Sequence, residues 1–146
     1  RADKQTYAAL GATLALWQRE PARTRIPVVR MLLESVEAID TRAHALVSEM
    51  SSELIARAIS SELISCEVIA GFSTIGGGSA PQATIPTRLV AIRAATRTAG
   101  AIEAALRRGS PTVIARIQQD AVLIDVRTVA PADDRLLGQA IADALK

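Results

Sequence analysis

With 146 residues and a formal net charge of +2, the chain has the length of one domain with a real core and is too short for two comfortable ones. Hydrophobic residues make up 49% and charged residues 22%, which excludes a disordered or fibrous chain. The pI of 9.2 is weak evidence for nucleic acid: cations and anions alternate without a dense basic block, and Tyr7, Trp17 and Phe72 are the only aromatics that could stack on bases.

Cys66 is the single cysteine, which rules out an intrachain disulfide and suits a reducing cytoplasm. The N-terminus lacks an apolar signal core, and no window reaches transmembrane length, so no membrane partner is expected. The chain opens on Arg1-Ala2-Asp3-Lys4 without a methionine, as expected of a trimmed terminus or of a piece of a longer protein.

Tyr7, Leu10, Leu14 and Trp17 recur at helical spacing among alanines, which predicts a helix from about Lys4 to Arg19, ended by Pro21. Ile26-Pro27 breaks any continuous helix beyond it, and Ala22 to Leu33 reads as a short extended connection. Ser35 is a candidate N-cap. Val36, Ile39, Ala43, Leu46, Val47, Met50 and Leu54 then trace one face of a long helix running toward Ile59.

After Ser61 the period changes. Ile64 to Phe72 reads as a strand, followed by Gly76-Gly77-Gly78-Ser79, a run that frees the backbone for positive φ and close approach. Pro81 and Pro86 bracket a loop, and Arg88 to Ala94 reads as a second strand. Thr98 can cap a helix over Ala99 to Arg108, ended by Gly109. Val113 to Ile117 and Val122 to Val126, joined near Gln119-Asp120, read as a β-hairpin. Pro131 opens a last helix whose buried face is Leu136, Leu137, Ile141, Ala144 and Leu145. The expected fold is α+β: a small, mostly antiparallel four-stranded sheet with helices on one face, preceded by a linking helix. Residues 1–25 form that linking helix and 26–146 the small domain.

No catalytic constellation assembles from these residues. His44, the only histidine, lies mid-helix beside the apolar stripe and reads as a surface or half-buried helical side chain. Cys66 has no cationic neighbour to activate it and reads as structural. A metal site lacks ligands, since Asp133-Asp134 is better read as helix-start charge. The triple glycine comes after a strand, as phosphate loops do, but carries neither Gly-x-x-x-x-Gly-Lys-Ser/Thr nor Gly-x-Gly-x-x-Gly. It is either a tightly turned surface loop or a loop that brings bare backbone to a ligand or a neighbouring domain.

Several stretches, in order over essentially the whole chain, resemble the C-terminal part of bacterial selenocysteine synthases, the L-seryl-tRNA(Sec) selenium transferases. These are Arg1-Ala2-Asp3-Lys4-Gln5-Thr6, Ile26-Pro27-Val28-Val29-Arg30-Met31-Leu32, Ile75-Gly76-Gly77-Gly78-Ser79-Ala80-Pro81 and the closing hairpin through Leu123-Ile124-Asp125-Val126-Arg127-Thr128-Val129. The resemblance implies the C-terminal small domain of a fold-type-I pyridoxal-phosphate enzyme in the cytoplasm, not catalytic alone. The cofactor lysine is then expected upstream of Arg1, and Lys4 is not assigned that role. Arg1 matches the second arginine of the family's Arg-Ala-Leu-Arg, which helps bind an anionic group of the substrate or selenium donor. Gly76, Gly77, Gly78 and Ser79 are expected near the active-site mouth. The implied partners are the parent's own N-terminal and large domains, further copies in a homo-oligomer, seryl-tRNA(Sec) and selenophosphate. Two other readings stay open at this point: the same domain of a related small-molecule pyridoxal-phosphate lyase, and a stand-alone interaction or oligomerisation module.

Overall fold

A computed structural model describes residues 2–19, 25–56, 63–76 and 83–146. The chain divides into two compact units, residues 1–34 and 35–146.

In the first unit, α1 (Lys4–Trp17) is capped by Asp3, whose Oδ1 accepts from Thr6 N–H at 2.7 Å. No residue of α1 is buried, and Tyr7, Leu10, Leu14 and Trp17 all stand exposed. Pro27 does not end a helix here; it starts one. Pro27–Leu33 forms α2, where an extended connection was expected from the sequence. The physical reason is positional. The fixed φ of proline suits the first helical residue, its missing N–H costs nothing there, and the extended Ile26 before it satisfies proline's steric demand. Arg30 closes α2 onto Glu34 at 2.7 Å, one helical turn on. The rest of the expected connection, residues 22–24, lies outside the described residues.

The second unit opens with α3 (Val36–Ala56), where Ser35 Oγ accepts from Ala38 N–H at 3.2 Å as an N-cap. Strands β1 (Ile64–Thr74) and β2 (Thr84–Ala94) come next, then α4 (Ala99–Arg108), β3 (Arg116–Gln118), β4 (Ala121–Asp125) and α5 (Asp134–Ala144). The sheet is four-stranded, antiparallel throughout, in the order β1-β2-β4-β3. Helix α4 matches its sequence expectation at both ends, capped by Thr98 and stopped at Gly109.

Alternation along the strands separates two faces. Val90 and Ile92 of β2 and Val122 and Ile124 of β4 pack with Ile39, Leu46 and Met50 of α3, Ile102 and Leu106 of α4, and Leu137 and Ile141 of α5. Leu89, Ala91, Ala121 and Leu123 form a smaller cluster of their own, joined by Ile69. Ion pairs tie α3 to the rest of the unit, among them Arg88 Nε to Asp40 at 2.7 Å and Arg42 to Asp134 at 2.7 Å.

Three strand expectations are corrected. β2 begins at Thr84, so Pro86 lies inside a strand opposite Phe72 and does not bound a loop. The strand tolerates it because β4 pairs with β2 only from Leu89 to Ile92, leaving no ladder partner for an N–H at position 86 on that side. β3 is only Arg116–Gln118, shorter than expected, because the Val113 N–H is taken by the Leu106 carbonyl at 3.0 Å. β4 stops at Asp125, whose carboxylate caps a 3₁₀ turn over Val126–Thr128. Gln119 and Asp120 turn the β3–β4 hairpin with φ of 50° and 55°, the left-handed pair that a type I′ turn needs. The last helix is prefaced by a 3₁₀ turn over Pro131–Asp133.

Candidate functional site

The ladder between β1 and β2 runs from Ile64↔Ala94 to Thr74↔Thr84, while β4 accompanies it only as far as Leu89↔Asp125. Beyond that point the two strands continue as an arm without a third strand. The Ile75 N–H donates to the Ala83 carbonyl at 3.4 Å, extending the ladder by one step. Gly76 stands at the end of the described part of the arm. Of the expected mouth loop, Gly77, Gly78 and Ser79 lie outside the described residues, as do Pro81 and the expected anion-binding Arg1. Gly76 itself is exposed, and a Cβ built on it would meet nothing within 4 Å. No described glycine has a positive φ, so at Gly76 neither reason for a glycine applies.

Where the third strand stops, side chains take over. Ser73 Oγ donates to Asp125 Oδ2 at 2.5 Å, and Thr87 Oγ1 donates to Asp125 Oδ1 at 3.0 Å. Arg127 is 2% exposed. Its Nε donates to Ser73 Oγ at 3.1 Å, its Nη2 to the Pro86 carbonyl at 2.7 Å, and its backbone N–H to Asp125 Oδ1 at 3.1 Å. One buried cation and one carboxylate thus join β1, β2 and the end of β4, and no buried side-chain polar atom among the described residues lacks a partner. Sequence reasoning missed this cluster. The only available signal was Asp125-Val126-Arg127 within the closing-hairpin resemblance, and it did not point to Ser73 or Thr87.

The His44 ring is exposed, with Nδ1 2.9 Å from the Asp40 carbonyl one turn back. Burial pushes the Cys66 thiol up to about 11, so it stays protonated and un-nucleophilic at neutral pH. Asp134 sits in the first turn of α5, as the charge reading expected, and also receives Arg42 Nη2 at 2.7 Å and Nε at 2.9 Å. No group of three or more His, Cys, Asp or Glu that could hold a metal occurs among the described residues.

Among the clefts that open on the second unit, two are the more spacious of those described. One, of about 420 Å³, lies between Pro111–Ile114 and Val129–Leu137, and its only titratable lining residue is Asp133. The other, of about 370 Å³, has an apolar floor of Leu89 and Leu123 with Arg93 and Arg116 at its sides. Arg93 is paired with Glu67 at 2.6 Å, and Arg116 donates to the Phe72 carbonyl at 3.2 Å. Neither cleft holds a nucleophile with a base beside it. The two lysines are Lys4, exposed on α1, and Lys146, paired with Asp143 at 2.7 Å at the exposed C-terminus. Neither is among the residues that line these clefts.

Fold and site define an α+β domain whose sheet, covered by helices on one face, carries a braced two-stranded arm and no catalytic constellation among its described residues. The chain belongs to the L-seryl-tRNA selenium transferase family, whose model matches residues 1–130. It is similar to the L-seryl-tRNA(Sec) selenium transferase of Solidesulfovibrio magneticus, 38% identical over 99% of this chain and 30% of the relative. The enzymes of the same name from Desulfovibrio desulfuricans and Moorella thermoacetica are each 36% identical, over 99% and 100% of this chain and 30% of theirs. The chain therefore spans about 30% of the length of these relatives, matching their C-terminal part.

Proposed function

We propose that this chain is the C-terminal small domain of a pyridoxal-phosphate-dependent L-seryl-tRNA(Sec) selenium transferase, working in the cytoplasm as part of a homo-oligomer. In this reading the parent enzyme replaces the seryl hydroxyl on the tRNA with selenium from selenophosphate. The observation that carries the proposal is the match over residues 1–130 to that family's model, with relatives of that name alignable over nearly the whole chain. The cofactor lysine comes from the parent's large domain, consistent with the exposed positions of Lys4 and Lys146. Arg1 contributes to an anion site for the donor or substrate, and the loop from Gly76 to Ser79 borders the mouth of the active site. α1 joins the two domains, and its exposed Tyr7, Leu10, Leu14 and Trp17 support a role in packing against a larger body.

The test is selenium transfer by the purified parent protein. Labelled selenophosphate and seryl-tRNA(Sec) should give labelled selenocysteinyl-tRNA. Turnover of a free amino acid with none of the tRNA would replace this reading with that of a small-molecule lyase. Mixed with pyridoxal phosphate, this chain alone should develop no visible absorbance of a lysine-bound cofactor. In the parent, Arg1→Ala should raise KM for the anionic donor more than it lowers kcat.

A further inference from the structure

From the geometry around Arg127, we propose that it is a positioning residue: with Asp125 and Ser73 it holds the β1–β2 arm in one orientation where no third strand does. The register carries the first part of the case. β4 supports β2 only through Leu89, so the ladder from Gly71↔Thr87 to Thr74↔Thr84 projects past the last three-stranded rung. A two-stranded ribbon alone is marginally stable and free to twist, so its direction depends on what grips its root.

The grip is specific. Arg127 reaches both strands of the arm at once, through Ser73 Oγ on β1 and the Pro86 carbonyl on β2. In an antiparallel strand the N and carbonyl of one residue point to the same side, so Arg127 occupies the side of Pro86 where a ladder partner would lie. Proline there removes the competing N–H, and the guanidinium supplies a donor to the carbonyl. Asp125 completes the device by accepting from Ser73 and Thr87, one residue on each strand, at its two carboxylate oxygens. Asp125 is also the last residue of β4, so the place where the third strand ends is the place where the brace is mounted.

This inference rests on the proposed function only in the consequence it draws, that fixing the arm fixes whatever the arm carries. Lysine cannot replace the fork. A single ammonium on a flexible stem does not span the Ser73 hydroxyl and the Pro86 carbonyl in the same planar geometry.

The experiment is hydrogen exchange on this chain, comparing wild type with Arg127→Lys and Ser73→Ala. The second variant removes the bridge with little change of volume and keeps the test alive if the arginine variant folds poorly. The amides of Ser73, Ile75, Ile85 and Thr87, which face the partner strand, should exchange about tenfold faster or more, while those of Leu89 to Ile92 keep their protection. Unchanged exchange in the arm, or a uniform rise over the whole sheet, would overturn the proposal. The same variants in the parent enzyme then separate the two ideas. Local loosening with a fall in kcat supports both. Local loosening with wild-type turnover upholds the brace and removes the arm's loop from the active-site mouth.

Discussion

Arg42 holds Asp134 with two hydrogen bonds, Nε to Oδ2 at 2.9 Å and Nη2 to Oδ1 at 2.7 Å, across 92 residues of sequence. Nη2 also donates to the Val129 carbonyl at 3.0 Å, so one guanidinium on α3 secures both the start of α5 and the segment leading into it. With side chains 14% and 23% exposed, the pair is largely shielded. Removing the arginine leaves a carboxylate half-buried without its fork. Arg42→Ala should destabilise the chain by about 2 kcal/mol in urea unfolding. Asp134→Ala added to it should cost less than the sum of the two single changes. Additive losses would mean that the two groups do not act as a pair.

Gly71 is needed by its neighbour. A Cβ built there would stand 2.4 Å from Leu89 Cδ1 and 3.0 Å from Cγ, and Leu89 is buried. Gly71→Ala should therefore cost about 1–3 kcal/mol through overpacking. In a Leu89→Ala background, where the clashing atoms are gone, the same change should be near neutral. An equal cost in both backgrounds would place the penalty in the backbone and not in this contact.

The Cys66 thiol, raised by burial from its ordinary 9.0 to about 11, makes a pH prediction with a definite sign. The folded state holds its proton more tightly than the unfolded state, so the contribution is fully present below pH 9 and is lost as the pH climbs toward 11. Stability measured from pH 8 to 11 should fall more steeply in wild type than in Cys66→Ala. Iodoacetamide should alkylate the native thiol far more slowly than the urea-unfolded one at pH 8. Equal rates would show an accessible, ordinary thiol.

At the β3–β4 hairpin, Gln119 and Asp120 both sit in the left-handed region without being glycine or asparagine. Asp120→Gly should stabilise the chain by about 1 kcal/mol, because glycine reaches that φ without a Cβ penalty. A loss of stability would mean that the aspartate side chain is worth more to the turn than the strain it carries.

Local chemistry made much of the architecture readable in advance. Thr98 and Gly109 bound α4 because a side-chain cap and a stop are signals within one helical turn. The apolar spacing from Ile39 to Leu54 identifies the buried face of α3 for the same reason. Errors arose where one residue type has two uses. Pro27 read as a break and proved to be a helix start, and Pro86 read as a loop marker and proved to lie in a strand. In each case the deciding fact is whether an N–H is required at that position, and pairing partners settle that.

The sequence by itself determined the α+β class, most of the element types and the family, because periodicity, caps and motif strings are written in neighbouring residues. Only the tertiary structure decided that β4 ends at Leu89↔Asp125 and that Ser73, Thr87 and Pro86 meet Asp125 and Arg127. Ser73 lies 52 residues from Asp125 and 54 from Arg127. Whether such separated polar groups converge depends on strand register and on where the third strand stops, and no local pattern of hydrophobic and polar residues carries that information.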